Sequence, residues 1–191
     1  MLLSIKEMEV RKLPFAESWP PGEIDFADSG ARQVGPLVAE GVAERLAIHG
    51  ERKHGEETAS DEVRVKGRVK VTLETECDRC LGRASFPIDT PFDLFYKPIE
   101  SLAETEDEIA IDEGEAEIGF YHLPGLVLED ILKEQVLLQL PMQRVCGESC
   151  KGICPVCGAN RNETECHCES HPGDDRWSAL KDIQIAEGNR K

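Results

Sequence analysis

Residues 63–76 read VRVKGRVKVTLETE, a stretch in which apolar and polar side chains alternate almost without a break. Successive side chains of a β-strand point to opposite faces of the sheet, so this alternation predicts a strand with one buried and one solvated face. The buried face would consist of Val63, Val65, Val69, Val71 and Leu73, and the solvated face of Arg64, Lys66, Arg68, Lys70, Thr72, Glu74 and Glu76.

The segments on either side of this strand predict that it belongs to an antiparallel sheet. Residues 84–98, ASFPIDTPFDLFYKP, keep period-two apolar spacing across two prolines, which is typical of the returning arm of a β-hairpin near an edge or bend. Residues 37–48 predict a weaker strand, and SIKEMEV at 4–10 predicts a short one. We expect loops around Trp19–Gly22 and across 49–61.

Helical spacing occurs in two later segments. The apolar residues of 124–141, PGLVLEDILKEQVLLQLP, predict a helix from about 125 to 136 and then a short extended exit. Residues 174–188, DDRWSALKDIQIAEG, predict a short helix with an aspartate as N-cap. Its buried face would consist of Trp177, Leu180 and Ile183.

These elements predict an α+β protein in which an antiparallel β-sheet is combined with one or two helices and a C-terminal cysteine-rich zinc-knuckle segment. We divide the chain into three regions. Residues 1–141 form the α+β domain, residues 142–170 form the cysteine-rich zinc-binding segment, and residues 171–191 form the C-terminal short helix and tail.

The charge of the chain limits the surfaces it can present. The 191 residues include 22 Lys and Arg against 38 Asp and Glu, giving a formal net charge of −16. This excess argues against a surface that binds nucleic acid everywhere by charge. No apolar run approaches the ~18 residues of a membrane span, and MLLSIKEMEV has no long apolar core of a secretory signal. We therefore expect a cytoplasmic protein that does not enter a membrane.

The acidic segment, residues 100–117, contains nine acidic residues and no basic one. Such a block is usually a solvated, mobile loop. The alternative is a docking surface for a basic partner.

Eight cysteines provide the main chemical signal. Cys77 and Cys80 form one pair, and the other six are written C-x3-C-x3-C-x2-C-x8-C-x-C. Clustered thiols at such spacing in a reducing compartment are more often zinc ligands than disulfides; redox chemistry and inert thiols are the alternatives. We expect four of these six to bind one metal ion, and the six candidates are Cys146, Cys150, Cys154, Cys157, Cys166 and Cys168.

Residues 154–158, CPVCG, have the composition of a knuckle that points two sulfurs at one ion, because Pro155 fixes one φ angle and Gly158 permits a positive one. The second pair could be Cys146 and Cys150, or Cys166 and Cys168. CDRCLG at 77–82 is a second candidate knuckle with a similar terminal glycine, so Cys77 and Cys80 could complete another site or could be two half-buried cysteines in a turn. His167 is a candidate substitute ligand, or a solvent-exposed residue.

A site of four thiolates around zinc carries two net negative charges and needs nearby donors or cations, for which Arg144, Lys151 and Arg161 are placed. All-cysteine sites leave no open position for water, so we expect the zinc to be structural.

The alternation of residues 63–76 also places four cations on one strand face. This basic strand face consists of Arg64, Lys66, Arg68 and Lys70.

Same-face residues of a strand are ~6.6 Å apart, similar to phosphate spacing in an extended nucleic acid. The basic strand face is therefore a candidate RNA contact, which Arg79 and Arg83 would extend. Alternatively, its cations pair with acids of a neighbouring strand, such as Glu40 and Glu44.

Four segments, taken in order, resemble the YceD family, the large ribosomal RNA subunit accumulation proteins of bacteria and plastids. They are GRVKVTLETECDRCL (67–81), VLLQLPMQRVC (136–146), CKGICPVCGANRNETECHC (150–168) and DDRWSALKDI (174–183). The resemblance covers about residues 35–185. It departs from the usual pattern at Ile153, Arg161 and Asp175, none of which is a cysteine.

The resemblance implies a non-catalytic, cytoplasmic role in the synthesis, processing or stability of 23S rRNA, with 23S rRNA or a large-subunit precursor as partner. Some family members lack the C-terminal cysteines, which agrees with a structural zinc. The chain shows no nucleotide loop, hydrolase elbow or HExxH motif that would indicate an enzyme or a small-molecule substrate. The competing hypothesis is an acidic chaperone that holds a basic ribosomal protein.

Overall fold

The computed structural model describes residues 1–49, 59–99 and 118–168 of the chain. The acidic segment and the helix expected at 174–188 lie outside the described residues, and so does most of the loop expected at 49–61.

Five strands form the main sheet, and β4 is its central strand, as the alternation at 63–76 predicts. The spatial order is β2-β3-β4-β5-β6, with antiparallel neighbours throughout except for the parallel pair β5 and β6 at one edge. The bounds are β2 Leu13–Trp19, β3 Arg32–His49, β4 Ala59–Glu76, β5 Arg83–Pro98 and β6 Ile118–Tyr121. The predicted α+β class with a largely antiparallel sheet is therefore confirmed.

The N-terminal segment differs from its prediction. Only its first residues are extended, because β1, Leu2–Ser4, pairs with β7, Gly125–Val127. The following residues form the helix α1, Ile5–Met8, so the strand predicted across 4–10 is wrong. Ile5 and Met8 are both buried, and residues three apart share one side of a helix, which the period-two interpretation overlooked.

The second helix, α2, spans Leu128–Leu138 and buries Leu128, Ile131, Leu132 and Val136. It begins three residues later than predicted because Gly125–Val127 is used for pairing with β1. Among the described residues, no helix combines the length and the apolar character that a membrane crossing requires.

The one interruption in the alternation of β4 has a packing cause. Gly67 stands where another inward-facing valine would be expected, and it lies opposite Gly41 of β3. A Cβ on Gly67 would lie 2.5 Å from the carbonyl oxygen of Glu40 and 2.9 Å from the ring of Phe92. The two glycines therefore let aromatic rings of β2 and β5 approach the backbone in the middle of the sheet.

Candidate metal centres and the basic strand face

The eight cysteines are brought together as two groups of four. The first cysteine group is Cys77, Cys80, Cys146 and Cys150, and the second cysteine group is Cys154, Cys157, Cys166 and Cys168. Within each group all four sulfur atoms lie within 4.8 Å of one another, and none of the eight thiols is in a disulfide. Each group could hold a metal ion; four of the six C-terminal thiols form the second group, and the other two, Cys146 and Cys150, join Cys77 and Cys80.

The first cysteine group joins the β4–β5 turn to the segment after α2. Within the turn, the N–H of Cys77 donates to the carbonyl oxygen of Gly82 at 2.7 Å, and the N–H of Leu81 donates to that of Cys77 at 2.9 Å. The left-handed residue is Leu81, with φ of 60°, and not the glycine that the comparison with CPVCG suggests. Gly82 is instead adjacent to Cys80, since a Cβ on it would lie 3.4 Å from that sulfur.

Asp78 joins the segment after α2 to the β4–β5 turn through two hydrogen bonds with Arg144. Its N–H donates to the carbonyl oxygen of Arg144 at 2.8 Å, and its side chain accepts the N–H of Arg144 at 2.6 Å. Two residues further on, the N–H of Cys146 donates to the sulfur of Cys77 at 3.3 Å. The backbone thus brings the two halves of the site into register.

The sulfur positions of the first cysteine group fit a tetrahedral metal. The sulfurs of Cys77 and Cys150 are 3.9 Å apart, and those of Cys80 and Cys146 are 3.7 Å apart. A tetrahedron with Zn–S distances of ~2.3 Å has sulfur–sulfur edges of ~3.8 Å. Four soft thiolate donors in this arrangement favour zinc over the harder divalent ions.

The second cysteine group is built on the knuckle that the sequence indicates. The N–H of Gly158 donates to the carbonyl oxygen of Cys154 at 2.8 Å, and φ of Gly158 is +74°. The N–H of Cys154 in turn donates to the carbonyl oxygen of Ala159 at 2.8 Å. Cys166 and Cys168 supply the other two thiols, so His167, which is exposed, is not needed to complete the group.

One buried thiol in each group is readily ionised. Burial raises the pKa of Cys77, but backbone N–H groups, those of Arg79 and Cys146 foremost, outweigh it and lower the pKa to about 6. Backbone N–H donors from Cys157 and Val156 likewise lower the pKa of Cys154 to about 6. These donors stabilise a thiolate, which is the form that binds a metal.

Another thiol in each group resists ionisation. Hydrogen bonds with the thiols of Cys150 and Cys80 raise the pKa of Cys146 to about 12. The neighbouring Cys157 has the same effect on Cys168, whose pKa is also raised to about 12. Four like charges in one cluster are unfavourable without a cation, so each group is set up to ionise fully only when a metal binds.

Two side chains that the cysteine spacing does not reveal support the first cysteine group, one by holding its two segments together and the other by a hydrogen bond to a sulfur. One is Asp78, and the other is Asn162, whose Nδ2 donates to the sulfur of Cys150 at 3.4 Å. That hydrogen bond, followed by the N–H of Gly152, lowers the pKa of Cys150. The only sequence signal for Asn162 is its place in the Asn-x-Asn that follows the CPVCG knuckle. Arg144, expected to offset thiolate charge, directs its guanidinium to the carbonyl oxygen of Ser29.

The basic strand face exists as predicted in geometry, but acids of β5 pair with most of its cations. Arg64 donates twice to Asp93, at 2.7 and 2.6 Å, and lies 4.0 Å from Glu44. Asp89 accepts from Arg68 at 2.5 Å and lies 3.3 Å from Lys70. The cross-strand pairing is therefore chiefly with β5 and not with the glutamates of β3.

These ion pairs lower the pKa of both aspartates. The hydrogen bond from Arg68 is the largest cause for Asp89, and the hydrogen bond from Arg64 is the largest cause for Asp93. Within the described ranges, Lys66 has no carboxylate within 4.0 Å, and it faces Asp93 across the strand pair. Two aspartates and the more distant Glu44 therefore offset most, but not all, of the four positive charges of the face.

The other two candidate RNA contacts lie next to the first cysteine group. The guanidinium of Arg79 donates to the carbonyl oxygen of Cys150 at 3.3 Å, while the carbonyl of Arg79 accepts the N–H of Ile153 at 2.9 Å. Arg83 begins β5 and lines a cleft with Arg32 and Glu74, which form an ion pair of 2.7 Å. Arg79 thus borders the first cysteine group. Arg83 lies opposite Glu76 on the same sheet face as the row on β4, but Glu74 separates it from the cations of that row.

The fold and these sites define the chain as an α+β protein with two four-cysteine groups, the first of which joins the end of a β-hairpin to the C-terminal part of the chain. Comparison with known families makes the assignment specific. The family described as large ribosomal RNA subunit accumulation protein YceD matches residues 65–184, a range that contains all eight cysteines. The chain belongs to the YceD family.

Individual relatives are more distant. An uncharacterized protein of Mycobacterium tuberculosis is 30% identical over 128 residues, which is 66% of this chain and 58% of the relative. The large ribosomal RNA subunit accumulation protein YCED homolog 1, chloroplastic, is 27% identical in two plants. The match covers 144 residues in Arabidopsis thaliana (64% of this chain, 44% of the relative) and 181 in Zea mays (78% and 59%).

The chain thus spans between 44% and 59% of the length of these relatives. No solved structure matches it.

Proposed function

We propose that this protein acts in the accumulation of large-subunit ribosomal RNA, as a non-catalytic factor in 23S rRNA processing and large-subunit assembly in the cytoplasm. The observation that carries the proposal is the family match over residues 65–184, a range that includes most of β4, all of β5 and β6, and all eight cysteines. The plant relatives, which are named for large ribosomal RNA subunit accumulation, support the same role.

In this proposal, zinc binds at both cysteine groups and is structural. Four protein thiolates fill a tetrahedral coordination sphere and leave no position for a reacting water or substrate. Bound zinc would supply only a cross-link between chain segments. In the first group it would hold residues 142–150 to the β4–β5 turn, so the cysteine-rich segment 142–170 would be docked onto the domain formed by 1–141.

The basic strand face is the proposed site of local RNA contact, with Arg79 beside the first cysteine group and Arg83 at the start of β5 as further cations. Asp89 and Asp93 compensate the row on β4, so the contact would involve few phosphates and depend weakly on salt. Fluorescence anisotropy with 23S rRNA fragments at several salt concentrations would measure the affinity and its salt dependence. A Lys66→Ala variant should bind more weakly, whereas equal affinity and equal salt slope in the quadruple alanine variant of the face would remove it as the RNA site.

A genetic experiment tests the function itself. Cells that lack the protein should accumulate less 23S rRNA and fewer large subunits than cells that carry the wild-type gene, and the wild type should restore both. Crosslinking in the complemented cells should recover precursor 23S rRNA fragments or proteins of the large subunit. Unchanged 23S rRNA levels, or crosslinks to neither class of molecule, would contradict the proposed role.

A chaperone for a basic ribosomal protein is the second candidate function. It is supported by the acidic balance of the chain, at −16, and by the nine acids of the acidic segment. A ribosomal protein that co-purifies after RNase treatment and is released by salt would favour the chaperone. Recovery of 23S rRNA that is lost with the basic strand face would favour direct RNA binding.

A further inference from the structure

We propose that Asn162 couples the two metal sites, because it is positioned by the second cysteine group and orients a ligand of the first. Metal binding at either site would then strengthen binding at the other. The inference rests on the proposed metal sites and is independent of the proposed RNA role.

The carboxamide of Asn162 makes two hydrogen bonds at the first site, one to the ligand Cys150 and one to the residue that follows it. Its Nδ2 donates to the sulfur of Cys150 at 3.4 Å, and its Oδ1 accepts the N–H of Lys151 at 2.8 Å. Asn162 itself lies in the loop between Cys157 and Cys166, which both belong to the second cysteine group. A single side chain therefore reaches from the loop of one site to a ligand of the other.

The loop holds Asn162 in this position through Asn160. The Oδ1 of Asn160 accepts two hydrogen bonds from Asn162, one from its backbone N–H at 3.0 Å and one from its side-chain Nδ2 at 2.9 Å. The carbonyl oxygen of Asn160 accepts the N–H of Thr164 at 2.9 Å, which forms the turn that leads to Cys166. A metal at the second site would close this loop at both ends and fix the direction of the Asn162 carboxamide.

A donor fixed in this way affects metal affinity at the first site. An N–H that points at a ligand sulfur stabilises the thiolate and restricts its orientation, and the loss of such a partner typically weakens metal binding 10–100-fold. Binding free energies are reciprocal, so the factor by which metal at the second site strengthens the first is also the factor by which metal at the first site strengthens the second. The pair should therefore fill cooperatively.

Two substitutions of Asn162 distinguish its two possible roles, which are to donate a hydrogen bond to the Cys150 thiolate or only to shape the loop. Asn162→Ala removes both contacts. Asn162→Asp keeps an oxygen for the N–H of Lys151 but replaces the donor with a second, negatively charged oxygen beside the thiolate. If Asn162 only shapes the loop, the aspartate should be tolerated better than the alanine. If it is a donor to the thiolate, the aspartate should be at least as harmful.

The readout is zinc affinity, measured by competition with a chromophoric chelator on the full chain under reducing conditions, with Co²⁺ absorption as a second probe. We expect about 10–100-fold weaker binding at one of the two sites in both Asn162 variants. Thr164→Ala is the matched control, because only the backbone of Thr164 bonds within the loop; it should bind two metal ions like the wild type. Asn162→Asp with wild-type affinity would overturn the inference.

A second arm tests the coupling itself. Cys168→Ser breaks the second site, and we expect it to weaken the remaining site in the wild-type background but to have no further effect in the Asn162→Ala background. Equal affinity of the remaining site with and without Cys168 would overturn the coupling. A wild-type chain that binds no zinc would refute the metal sites themselves, whereas two zinc ions with unaffected Asn162 variants would refute only the role of Asn162.

Discussion

Substitution of Cys80 by serine should remove the proposed metal cross-link between the β4–β5 turn and the C-terminal part of the chain. Cys77 and Cys146, whose hydrogen bond joins the same two segments, are 69 positions apart. In the chain-entropy view, a cross-link that closes a loop of this length stabilises the fold by about 4 kcal/mol. A metal cross-link can approach that value only while the metal stays bound, so we expect Cys80→Ser to lose most of it.

The assay is chemical unfolding followed by far-UV circular dichroism, together with zinc content by elemental analysis. Cys80→Ser should carry one zinc per chain instead of two, and its free energy of unfolding should fall by up to about 4 kcal/mol. Wild type treated with a strong chelator is the internal control. If the serine acts through the metal, Cys80→Ser should lose much less stability on chelation than the wild type does.

Two outcomes would refute this reasoning. One is a Cys80→Ser chain that still binds two zinc ions per chain. The other is a free energy of unfolding that matches metal-loaded wild type, which would mean that the first cysteine group does not tie the two segments together.

Three further predictions concern the sheet. Asp89→Asn combined with Asp93→Asn should tighten binding to 23S rRNA fragments and steepen its salt dependence, measured by anisotropy from ~50 to 200 mM salt, because it releases the paired cations. Asp89→Asn alone should lower Tm at neutral pH; thermal unfolding at decreasing pH should show the difference disappear as the depressed pKa of the wild-type carboxylate is passed. Gly41→Ala should cost about 1–3 kcal/mol, since its Cβ would lie 2.3 Å from the carbonyl oxygen of Lys66, whereas Gly147→Ala, with nothing within 4 Å, should be neutral in the same unfolding experiment.

Each of these has a clear contrary result. Unchanged RNA affinity in the variant with both aspartates replaced would show that the basic strand face does not bind RNA. A Tm difference for Asp89→Asn that persists at low pH would assign it to packing and not to the ion pair. Equal stability of the Gly41 and Gly147 variants would show that the sheet relaxes around an added methyl group.

The predicted strands at 63–76 and 84–98 agree closely with β4 and β5 because alternation of burial is a local property of a strand. One failure is also local in origin, and one break in the pattern is not. The residues of α1 fit a period of two by composition, and only burial of Ile5 and Met8 on one side shows the helical turn. Gly67 breaks the pattern for a reason that lies on neighbouring strands, in Gly41 and Phe92.

The partition of the cysteines was open at the level of sequence. Spacing alone indicates that CPVCG forms a knuckle, since four or five residues fix that turn. It does not decide between two donor pairs for that knuckle, because the choice depends on where residues 142–150 lie relative to a turn 69 positions earlier. The fold places Cys146 and Cys150 at the turn and leaves Cys166 and Cys168 for the knuckle.

The sequence by itself determined the period-two strand, the clustering of thiols and the position of four cations on one face, because each depends on residues that are close along the chain. Only the tertiary structure decided which thiols share a site and which acids face the cations. Those contacts follow from strand register and from the meeting of distant segments, as in the pairing of Arg64 with Asp93 across β4 and β5. Spacing within one segment carries no information about the register of another, so these contacts emerge only when the sheet is assembled.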